Sequence, residues 1–127
     1  MSERPPAEWL AAARADLRAA TLISDAEAGN RELRWQAAFH CQQAAEKAIK
    51  AVLLDRNGSF PYIHNITQLL SLLPATSVPP SVGAASLLTD YYTAGRYPTG
   101  LDIDVPLLNE AAQIAADVVS WAERQLA

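Results

Sequence analysis

Apolar side chains in this chain return every three or four residues, and no segment alternates with the period of two that a half-buried strand requires. That pattern restricts the chain to helices packed on helices. Pro5-Pro6 sets the start of a first helix, because proline is tolerated in a first turn. Leu10, Ala13, Leu17, Thr21 and Ser24 recur along it, Arg14 and Arg18 lie on another face, and Gly29-Asn30 stops it. A second helix runs from about Leu33 to Arg56, with Ala38, Cys41, Ala45, Ala48, Ile49 and Val52 in one apolar arc, and Asn57-Gly58 closes it. Ser59 to Tyr62 is a turn, since Pro61 disfavours a helical Phe60.

Asn65 to Leu73 reads as a short third helix ended by Pro74, and Ser77 to Ser81 as a loop. Ser81 is the expected cap of a fourth helix with a buried stripe of Ala84, Leu87, Leu88 and Tyr91 and a stop at Gly95. Arg96 to Ile103 is irregular. Asp104 caps a last helix with Pro106 in its first turn and Leu107, Leu108, Ala111, Ile114, Ala115, Val118 and Ala122 on its apolar face. The expected fold is all-α: an up-and-down four-helix bundle with a short additional helix, in one domain over residues 1–127. Twenty-five alanines favour helix and let helix axes approach closely.

The formal net charge of −4 excludes binding to nucleic acid through a generally basic surface, although a local basic patch remains open. Cys41 is the one cysteine, so no internal disulfide and no Cys/His metal spacing is available, which fits a reducing cytoplasm. The N-terminus lacks the charged and apolar regions of a signal peptide, and no apolar run is long enough to span a bilayer. There is no Gly-rich phosphate loop, HExxH or nucleophile elbow, and no cofactor is expected. Asp102 and Asp104 have the spacing of nucleotidyltransferase carboxylates, without the Gly-Ser turn and strand that chemistry needs.

The second helix carries the chemically richest row. At about 100° per residue, Gln36, His40, Gln43, Lys47 and Lys50 fall in a narrow arc roughly opposite the Ala38–Val52 stripe. One reading is a row of donors, acceptors and positive charge suited to a phosphate or a polar partner. The other is a solvated face on which Glu46 and Lys50 form an ordinary ion pair. Trp9, Trp35 and Trp121, near helix ends, read either as interface aromatics or as caps on the core.

The run Phe39-His40-Cys41-Gln42-Gln43-Ala44-Ala45-Glu46-Lys47-Ala48-Ile49-Lys50-Ala51-Val52-Leu53-Leu54 resembles the signature helix of the HEPN domain family. His64-Asn65-Ile66-Thr67-Gln68-Leu69-Leu70 resembles that family's His-then-short-helix segment, and Arg96-Tyr97-Pro98 its Arg-Tyr-Pro loop before the last helix. The likeness covers about residues 8 to 125. It implies a four- or five-helix bundle that commonly dimerises and associates with nucleotides or with a separately encoded minimal nucleotidyltransferase, in a toxin–antitoxin-like pair. Some branches are metal-independent ribonucleases that use an Arg and a His four to six positions further on, near the start of the last helix. Here no His follows Arg96. Arg34 and His40 have compatible spacing, but they sit in the second helix, with Trp35 after the Arg.

The reading is therefore a non-catalytic cytoplasmic module that forms a homodimer and binds a nucleotide or a partner nucleotidyltransferase. Its expected binding groove is lined by His40, Gln43, Lys47, His64 and Arg96. The alternative is a ribonuclease with a non-standard centre of Arg34, His40 and Arg96. His64 could instead be a helix cap or a loop-packing residue.

Overall fold

The computed structural model describes residues 4–94 and 102–127. Among these, every regular element is helical. Three helices are long: α1 (Pro6–Glu27), α2 (Arg31–Asn57) and α6 (Val105–Leu126). Three are short: α3 (Ile66–Leu70), α4 (Pro80–Gly83) and α5 (Tyr91–Ala94), with 3₁₀ turns at Ala75–Ser77 and Ala84–Leu88. The all-helical bundle expected from periodicity is what the chain forms.

The long helices begin and end where local chemistry puts them. Pro5 and Pro6 open α1. Asn30 caps α2 by accepting from the Leu33 N–H at 3.0 Å, and Asp104 caps α6 by accepting from the Leu107 N–H at 2.8 Å. Helix α2 stops at Gly58, whose φ of +80° suits a residue without Cβ and whose N–H returns to the Leu54 carbonyl.

Helix α2 is the axis of the fold, packed against α1, α6, α3 and α5. Ala38, Cys41, Ala45, Ala48, Ile49 and Val52 are fully buried, as are Ala37, Ala44, Ala51 and Leu53 outside that arc. A helix this closely enclosed needs small side chains, and the alanines provide them. Trp35 and Trp121 are core residues, with the Trp121 indole N–H donating to the Ser77 carbonyl at 3.2 Å, and Trp9 packs edge-on to Phe60.

The fourth helix departs from expectation. It is broken into α4, a 3₁₀ turn and α5, and Ser81 does not cap it; Pro79 precedes it and Pro80 occupies its first turn. The buried residues are Val82, Ala85, Leu88 and Tyr91, spaced by three, while Leu87 is 61% exposed. Ala85 and Leu88 lie in the 3₁₀ turn, whose repeat of three residues puts them on one face and turns Leu87 away from it. Gly95 and the Arg96-Tyr97-Pro98 segment lie outside the described residues.

Candidate polar strip on the central helix

Glu46 organises the site. Its carboxylate is 3% exposed, in the middle of α2, and accepts from three side chains. Lys50, one turn on and 5% exposed, donates from Nζ at 2.8 Å, and its ammonium also lies 5.2 Å from the Phe60 ring centre. Gln42, one turn back and fully buried, donates from Nε2 at 2.8 Å. His64, half-exposed on the segment before α3, places Nδ1 at 2.9 and 3.1 Å from the two carboxylate oxygens.

A carboxylate paired with an ammonium only accepts, so it fixes the polarity of everything bonded to it. Gln42 must turn its NH2 toward Glu46, which leaves its Oε1 to accept from Gln43 Nε2 at 2.7 Å. The amide oxygen of Gln43 is thereby turned away from the network. His64 must carry its proton on Nδ1, which leaves Nε2 as an acceptor in the neutral ring.

The same device appears a second time. Asp16 of α1, 12% exposed, holds His40 Nδ1 at 2.8 Å with one oxygen and Lys47 Nζ at 2.7 Å with the other. Burial pushes the Asp16 carboxyl upward, but hydrogen bonds from His40 and Lys47, and their charges, outweigh it and hold the group below its ordinary value. Rings join the two carboxylate–imidazole pairs. His40 lies 5.7 Å from Phe39, Phe39 lies 6.0 Å from Tyr92 of α5, and Tyr92 stacks on His64 at 4.2 Å with 20° between the planes.

Four of the five residues expected to line a groove thus belong to one connected strip: His40, Gln43, Lys47 and His64. Arg96 lies outside the described residues. The reading of this arc as a solvated face with an ordinary Glu46–Lys50 pair does not hold, because that pair is buried. Lys47 is not an uncompensated cation, since Asp16 neutralises it. The cap of α3 is Asn65, whose side chain accepts from the Gln68 N–H at 3.0 Å, so His64 is released for Glu46. Asp102 pairs with Arg31 at 3.5 Å and Asp104 is a cap, so those carboxylates have structural partners.

The overall fold is shared with related chains. A family model for the HEPN domain matches residues 7–125. The chain belongs to the HEPN domain family. TT1696 from Thermus thermophilus has a similar solved structure, with 31% identity and a TM-score of 0.75 over 94% of this chain and 97% of that one. ST0689, an archaeal HEPN homologue, shares 27% identity with a TM-score of 0.73 over 98% and 99%. No curated protein sequence matches.

Within this HEPN chain, Arg34 is occupied elsewhere. Its Nε donates to the Ile103 carbonyl at 2.6 Å and a terminal nitrogen to the Ala28 carbonyl at 2.8 Å, tying the α1–α2 turn to the segment before α6. The HEPN signature helix also contains Cys41, whose thiol burial pushes up to about 12, making it a packing residue and not a nucleophile. Sequence reasoning missed Asp16, Phe39, Gln42, Glu46 and Tyr92 as site residues, taking Glu46 only as half of an ordinary ion pair. Among the described residues, no helix is long and apolar enough to cross a membrane, and no cluster of metal-ligating side chains occurs.

Proposed function

We propose that this HEPN-family chain is a non-catalytic binding module whose α2 strip receives a nucleotide, either free or presented by a partner nucleotidyltransferase. The observation that carries this reading is the pair of partly exposed imidazoles, each fixed at Nδ1 by a carboxylate that is itself nearly buried. Side chains held in one orientation before a ligand arrives lose little freedom on binding it. A purely structural ion-pair network would not need to leave imidazole edges at the surface.

A ribonuclease centre of Arg34 and His40 has less support. The Arg34 guanidinium is bonded to two main-chain carbonyls, which occupies it away from His40. The test is titration of ATP and GTP against wild type, His64→Ala and Lys47→Ala, followed by NMR or calorimetry. Saturable binding weakened in both variants supports the reading. Absence of binding to either nucleotide, or affinity unchanged in both variants, overturns it. Cleavage of RNA by purified protein, abolished by His40→Ala without unfolding, would establish the enzyme instead.

A further inference from the structure

The polarity of the strip specifies which part of a nucleotide it would hold. Working outward from Glu46, every group is oriented: Gln42 donates to it, Gln43 donates to Gln42, and His64 donates to it from Nδ1. His40 is oriented likewise by Asp16. The atoms left over are His40 Nε2, His64 Nε2 and Gln43 Oε1, which have no partner among the described residues; the amide oxygen accepts, and so does each Nε2 while its ring is neutral. Acceptors repel phosphate oxygens, which carry only lone pairs. The cations give a phosphate little more, since Lys47 is neutralised by Asp16 at 2.7 Å, and Lys50 is buried against Glu46.

Between the acceptors run partly exposed rings: Phe39, Tyr92 and the half-exposed His64. Rings with outward acceptors suit a flat aromatic group that bears N–H donors. We propose that the strip recognises the nucleobase, through its exocyclic amino group and its ring face, and not the phosphate. Lys47 retains N–H bonds beyond the one given to Asp16, and with its charge offset these suit a neutral acceptor such as a ribose hydroxyl. This inference rests on the strip being a nucleotide site and adds which chemical part is read.

The discriminating experiment compares ligands that carry one part each. Adenosine, guanosine and cytidine have an amino-bearing base without phosphate; purine riboside lacks the amino group; pyrophosphate has no base. Binding is followed by NMR or calorimetry on the full chain, with AMP, GMP and CMP as references. The expected result is that at least one amino-bearing nucleoside binds within about threefold of its monophosphate, because the phosphate adds little at a site of paired charges. If adenosine is the ligand, purine riboside binds about tenfold more weakly, having lost a donor to a positioned acceptor. Pyrophosphate does not compete.

Two variants sharpen the result. His64→Ala removes one acceptor and its ring, and weakens the nucleoside by about tenfold. Gln43→Lys places a cation where an acceptor stood, while its ammonium can still donate to Gln42. It weakens the nucleoside if the base is read, and strengthens pyrophosphate if the phosphate is read. Nucleotides that bind while nucleosides do not, with pyrophosphate competing, would overturn the base assignment and leave the nucleotide site standing. Failure of every nucleoside and nucleotide to bind would remove both. Nucleoside binding unaffected by either variant would remove the strip as its location.

Discussion

Replacing the buried Glu46 with Ala is expected to cost more stability than truncating any of the partly exposed polar side chains of α2. Three donors lose their acceptor: Lys50 at 2.8 Å, Gln42 at 2.8 Å and His64 at 2.9 Å. The decisive loss is Lys50, since its side chain is 5% exposed and its ammonium would stay inside without a counter-charge. Breaking a buried pair from one side costs about 3 to 5 kcal/mol. A domain of this kind has roughly 5 to 15 kcal/mol in total. With a urea slope of about 2 kcal/mol per molar, the unfolding midpoint should fall by about 2 M. Alanine is a strong helix former, so the loss is not one of helix propensity. The control is Glu46→Leu with Lys50→Met, which removes both charges. It should recover to within about 2 kcal/mol of wild type, the remainder being the acceptor lost by Gln42 and His64. A single-variant loss below about 1 kcal/mol, or a double variant as unstable as the single, would refute the argument that buried charge dominates here.

Acid unfolding should involve Asp16. Its carboxyl is held below its ordinary value of 3.8, so it stabilises the fold above that pH, and the contribution is lost as pH falls through the folded value. Asp16→Asn should flatten that part of the acid limb in circular dichroism against pH, and an unchanged limb would count against the His40–Asp16–Lys47 cluster. Arg34→Ala should destabilise by about 2 to 3 kcal/mol, because two buried-side carbonyls lose a charged donor; a loss under about 0.5 kcal/mol in urea unfolding would show that the staple is not needed. Cys41 should resist alkylation in the native state at mildly alkaline pH and react on denaturation, since it is fully buried with its thiol pushed up to about 12. Homodimer formation, proposed from the family resemblance alone, should appear in sedimentation at micromolar concentration; a clean monomer would exclude it.

The long helices are legible in the sequence because their signals are local. Proline in the first turn, Asn30 and Asp104 as caps and Gly58 as a stop act within a turn of the residue concerned. The fourth helix misleads for an equally local reason. Val82, Ala85, Leu88 and Tyr91 are spaced by three because a 3₁₀ turn over Ala84–Leu88 interrupts the segment, whereas the stripe of Ala84, Leu87, Leu88 and Tyr91 assumes one unbroken α-helix. The sequence contains the correct pattern, and three consecutive steps of three are the clue.

The site is legible only in part, because its decisive contacts join residues far apart in the chain. The row of His40, Gln43 and Lys47 can be seen on one helix, and the ladder of Gln42, Glu46 and Lys50 at four-residue steps is equally visible. What spacing does not show is which side α1 covers. Asp16 meets His40 and Lys47 across 24 and 31 residues of sequence, and that contact fixes the orientation of the His40 ring and offsets the charge of Lys47. Glu46 does the same across 18 residues to His64. The carboxylates therefore offset the positive charge that the polar row of α2 presents when read by itself. Read alone, α2 points to a phosphate; the proposed preference for a ligand that brings its own N–H donors rests on Asp16 and Glu46.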